Sequence, residues 1–166
     1  MILPNLFGML VALLPIIALE TFLARRWIQL ERPRIFKGVA MANVVSTLVG
    51  VPLAWGVMLG LELATTDGSA YVLDSPSAII KTAVLGAAWL PPPDMGDPAW
   101  IFPLASLVLL VPAFFLSVLL ERFVLVRKWK TVPKAQITKT VWKINIASYI
   151  ALVALGAGLF FLGMII

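Results

Sequence analysis

Four apolar runs, residues 1–19, 38–61, 98–120 and 144–166, contain no Asp, Glu, Lys or Arg. Each is close to the roughly 20 residues a helix needs to cross about 30 Å of hydrocarbon. The pattern predicts an all-α membrane protein with four transmembrane helices. Polar side chains interrupt two of the runs in the same way: Asn43 and Ser46 near the start of the second, and Asn145 and Ser148 near the start of the fourth. Pro15 falls inside the first run, where it predicts a kink, because a proline leaves the carbonyl four residues earlier without its N–H. That run has no basic residue ahead of it and no clear cleavage pattern before Glu20, so it reads as a retained helix and not a removed signal.

The recurring polar pair belongs to an internal repeat. At an offset of 101, Glu20, Phe22 and Arg26 match Glu121, Phe123 and Arg127. One inserted residue, Lys128, moves the offset to 102, and Trp27, Lys37, Val39, Asn43, Ser46 and Gly56 then match Trp129, Lys139, Val141, Asn145, Ser148 and Gly158. Apolar spans match one another freely by chance, but Glu, Arg, Trp, Lys, Asn and Ser in order do not. Each unit holds two spans, so the second starts on the same side of the membrane as the first. The halves, about 1–61 and about 98–166, are therefore tandem parallel-repeat helical hairpins, expected to form a pseudo-twofold bundle within a single domain, 1–166.

Charge orients this arrangement. Five basic residues from Arg25 to Lys37 lie between runs one and two, seven from Arg122 to Lys143 lie between runs three and four, and Lys81 is the only other one. The external segment, about 62–97, holds five acidic residues against that lysine. The positive-inside bias then places both basic loops in the cytoplasm of a multi-pass protein of the cell membrane, with both termini external. Topology alone accounts for the net charge of +5, which removes the reason to expect nucleic-acid binding. The same basic loops are expected to attract anionic lipid head groups. Within the external segment, "DSPSAIIKTAVLGAAWL" predicts a short interfacial helix capped by Asp74 or Ser75, and "PPPDMGDP" ends it, as a lid over an outward cavity or as a spacer.

The sequence has neither cysteine nor histidine. Disulfides, thiolate nucleophiles, the usual zinc sites and histidine-ligated haem are excluded with them. No catalytic motif, metal set or cofactor is expected: hydroxyl nucleophiles such as Ser46 and Ser148 would have no imidazole base to activate them. The candidate chemistry is the duplicated set Glu20, Asn43, Ser46, Glu121, Asn145 and Ser148. Asn43 and Ser46 share a helical face, so an antiparallel neighbour carrying Glu20 can offer its carboxyl to both, and Glu121 to Asn145 and Ser148. Three readings remain open for the set: an interhelical clamp, an ion or proton site, or glutamates that reach out to the inner interface.

Ala147, Ala151, Ala154 and Gly158 form a strip of small side chains roughly opposite Asn145, suited to close approach by another helix. These features predict a non-catalytic accessory, scaffold or assembly subunit that packs against other membrane helices as a homo- or hetero-oligomer. The alternative is a small oligomeric transporter or channel that binds a cation or proton at the Glu, Asn and Ser set.

Overall fold

The computed structural model describes residues 2–65 and 101–165. The expected interfacial helix and the proline-rich break lie outside them. The regular elements among the described residues are all helices: α1 (Ile2–Ala24), α2 (Arg32–Thr65), α3 (Ile101–Lys128) and α4 (Lys134–Ile165). Two tight connections, residues 25–31 and 129–133, join the helices into hairpins. Among these residues one helix, α4, has the length and apolarity to cross a membrane, over Lys134–Gly158, and Val11–Ala24 forms a shorter apolar helix.

The helices run well past the apolar runs that predict them. At about 1.5 Å per residue, the 34 residues of α2 extend for about 50 Å. Most of the residues expected in basic loops therefore lie on helices, including Arg32, Arg34 and Lys37 on α2, Arg122, Arg127 and Lys128 on α3, and Lys134, Lys139 and Lys143 on α4. Nothing in these stretches breaks a helix, and the prolines favour starting one. Pro33 stands in the first turn of α2, where its missing N–H would be unpaired in any case, and Pro133 immediately precedes α4. The Glu31 carbonyl accepts the N–H groups of Arg34 and Ile35, and the Pro133 carbonyl accepts that of Ile137.

Each helix packs against two neighbours in the cyclic order α1, α2, α3, α4, and the diagonal pairs do not meet. The result is a square bundle of alternating direction. Its basic end is filled by an apolar core of Ala24, Ile28, Ile35, Val39, Ala42, Val124, Leu125, Trp129, Ile137, Val141 and Ile144. The hairpin tips interlock there: Gln136 Nε2 donates to the Trp27 carbonyl at 2.6 Å, and Trp129 lies against Gly38 of α2. The repeated aromatic and basic residues pair at the same helix end in each copy, with Arg26 over Phe22 and Arg127 over Phe123 at 5.0 and 3.3 Å from the ring centres.

Away from this core the usual distribution is inverted. Leu14, Leu48, Phe115, Leu119, Ile146, Ile150 and Leu155 are exposed on the outside, while Glu20, Glu121, Asn43 and Asn145 are buried inside. Only 22% of an apolar 18-residue stretch within Lys134–Gly158 is buried, so most of it has no cover from the other described residues.

Candidate functional site

The six polar residues of the repeat meet at the centre of the bundle. Glu20 sits about one turn before the end of α1, and Glu121 projects from the diagonally opposite α3. Asn43 and Ser46 come from α2, and Asn145 and Ser148 from α4. Asn43 Nδ2 donates to Glu20 Oε2 at 2.6 Å, and Asn145 Nδ2 donates to Glu121 Oε2 at 2.7 Å. These are contacts within a hairpin.

The serines bond differently from the pairing expected on a shared face. Ser148 Oγ donates to Glu20 Oε1 at 2.7 Å, and Ser46 Oγ to Glu121 Oε1 at 3.3 Å, so each serine reaches the other hairpin. Helix geometry explains this correction. Three residues advance a helix by about 300°, leaving the two side chains about 60° apart. In a square bundle that offset is enough to turn Asn43 toward α1 and Ser46 toward α3. Each glutamate thus accepts an amide N–H from one neighbour and a hydroxyl from the other, and the four helices are tied into a closed hydrogen-bonded ring. Glu20 and Glu121 are 1% and 2% exposed, which rules out glutamates turned outward to the interface.

Proton counting gives the ring a chemical character. Each asparagine uses both N–H groups, one on a carboxyl and the other on the carbonyl four residues back, of Val39 or Val141, at 3.1 Å. That second bond fixes which way the amide points. Each serine has one proton but two acceptors in reach: Ser46 Oγ also lies 3.0 Å from the Asn43 carbonyl, and Ser148 Oγ lies 3.1 Å from that of Asn145. One hydroxyl proton cannot fully serve both acceptors. A proton on the facing carboxyl oxygen, or a bound cation, completes the set. Asn145 Oδ1 is a further buried acceptor with no hydrogen-bond partner.

The ring forms one wall of a cavity of about 180 Å³. Going away from the basic end, its lining passes from Glu20, Glu121, Asn145 and Ser148 to Ser117 and Tyr149, then to Ala12, Leu110 and Leu152. The Ser117 and Tyr149 hydroxyls lie 3.0 Å apart. Toward the basic end the apolar core closes the bundle directly beneath the ring. The described cavity lining holds no basic side chain.

The small-residue strip lies elsewhere. Ala151, Ala154 and Gly158 are exposed on the outer surface of α4, and Ala147 is half-buried. Gly50 of α2 is instead buried within contact range of Leu120 of α3. Reading the sequence by repeat missed Tyr149 and Ser117, whose counterparts in the first copy are Thr47 and Ile16, so nothing in the repeat marks them. Comparison with known proteins gives no match: no family model, curated protein or solved structure resembles the chain at a significant level.

Proposed function

We propose that the chain is a four-span integral membrane protein without catalytic activity, acting as an accessory, scaffold or assembly subunit that docks other membrane helices on its outer face. Its inverted distribution, with carboxyls inside and large apolar side chains outside, is the arrangement lipid favours and water penalises. Both basic helix ends then lie in the cytoplasm and the acidic connection lies outside.

The observation that carries the scaffold reading is the contrast between inside and outside. The interior polar groups are committed to a ring that holds all four helices in register, and the apolar core seals that ring from the basic end. Ala151, Ala154 and Gly158 meanwhile remain open on α4. Small side chains in hydrocarbon let a second backbone approach closely, and van der Waals contact is then the main attraction. Replacing Ala151 and Ala154 with Leu is expected to leave insertion and the monomer fold intact but abolish co-purification of partners or of a second copy in mild detergent. Retention of every partner and of the native size by this variant would count against the proposal.

A second reading is favoured by one observation, the cavity that both carboxyls line. Their charge there has to be balanced by protons or a bound cation, because the described lining supplies none. In this reading the ring is the cation or proton site of a small oligomeric transporter. Loss of cation- or proton-coupled flux in Glu121→Gln vesicles, with folding unchanged, supports it. Absence of flux from wild-type vesicles refutes it.

A further inference from the structure

The two hairpin tips are built from equivalent residues but pack differently, and a pocket lies at the second. In the first tip, Lys143 lies across the Trp27 ring, 4.6 Å from its centre, and Thr140 is buried beside it. The equivalent positions on α2 are Met41 and Gly38. Here Trp129 packs against Gly38, so closely that a Cβ on that glycine would stand 2.5 Å from the indole Nε1. Gly38 and Met41 help line a pocket of about 430 Å³. Arg34, Lys37 and Lys128 line it, with Glu31 as the one acidic group. Trp129 is fully buried, and its Nε1–H has no hydrogen-bond partner.

These features suit one ligand chemistry. Three cations against one carboxylate give the pocket an excess of positive charge. Arg34 supplies a planar fork suited to phosphate oxygens, and Lys37 and Lys128 supply point charges. Resting on the membrane-spanning reading above, we propose that this pocket binds a phosphate group, and that the phosphate is the head group of an anionic phospholipid in the cytoplasmic leaflet. The apolar Met41 side of the pocket faces where the acyl chains would run, and the surface potential of that leaflet favours basic groups at the same depth. The first tip supplies an internal control, since Lys143 occupies the place a ligand would take.

The test uses the whole protein in neutral phosphatidylcholine nanodiscs, titrated with phosphatidic acid, with bound lipid read by native mass spectrometry. Wild-type protein is expected to retain one phosphatidic acid about tenfold more tightly than Arg34→Gln/Lys37→Gln. Lys139→Gln, which removes the same charge from the repeat-equivalent site, is expected to bind as wild type. Equal loss in Lys37→Gln and Lys139→Gln would overturn the proposal, because it would show general attraction to charge. Glycerol phosphate separates the two sources of phosphate: failure to displace the lipid supports a lipid ligand, and full displacement at equal concentration overturns the assignment to lipid.

Discussion

Removing the Ser148 hydroxyl examines one of the two links of the ring whose direction the sequence misassigns. Ser148→Ala deletes a single oxygen, so the packing change is small and the loss reports on the hydrogen bond. The contact to Glu20 is 2.7 Å long, fully buried and made to a carboxyl. Interhelical hydrogen bonds in membrane proteins contribute about 0.6 kcal/mol on average and up to about 1.7 kcal/mol. This geometry belongs in the upper half of that range, so a loss of about 1 to 1.7 kcal/mol is expected. Ser46→Ala should cost less, since its contact to Glu121 is 3.3 Å. The partner is identified by double-mutant cycles with Glu20→Met and Glu121→Met, which remove the acceptors at nearly constant size. Reversible unfolding in mixed micelles, followed by helix circular dichroism, supplies the free energies. Ser148→Ala should couple to Glu20→Met by about 1 kcal/mol, and by less than half of that to Glu121→Met, which it reaches only through Asn145. Equal or stronger coupling to Glu121 would refute the cross-hairpin ring.

Glu20→Gln is expected to lower stability by less than about 0.5 kcal/mol, because its Oε1 can accept from Asn43 while its Nε2–H donates to Ser148 Oγ, whose own proton then serves the Asn145 carbonyl. A loss above about 2 kcal/mol in the same unfolding assay would show that the ring depends on ionised Glu20. Gly38→Ala is expected to destabilise by about 1–3 kcal/mol, because the added Cβ would meet the Trp129 ring at 2.5 to 3.0 Å. Trp129→Leu should then cost less in the Gly38→Ala background than alone, and additive losses would contradict the contact.

Much of the interior was legible because the repeat samples it twice. The matches of Glu20 with Glu121, Asn43 with Asn145 and Ser46 with Ser148 pick out the six residues of the ring without any structure. The crossed bonding of the serines was not legible from spacing alone. A three-residue separation fixes the 60° offset, but which neighbour lies on which side depends on how the hairpins sit together. Helix ends were also hidden, since an apolar run stops where charge begins, whereas the helix carrying Arg34 and Lys37 continues until a breaker ends it. Gly38 stands where the other copy has Thr140, a difference whose meaning appears only when the indole is seen against it.

The membrane-embedded arrangement is the central claim, and the chain's lack of cysteine permits a direct measurement. Single cysteines at Leu119, Ile146 and Lys130 can be probed in inside-out vesicles with a membrane-impermeant maleimide. Leu119 and Ile146 are 62% and 46% exposed, so none of the other described residues shields them. If lipid covers them, Lys130→Cys labels rapidly while Leu119→Cys and Ile146→Cys stay unlabelled until the membrane is dissolved and the protein unfolded. Labelling of all three at similar rates in intact vesicles would mean that water reaches the apolar faces of α3 and α4, and would contradict the account.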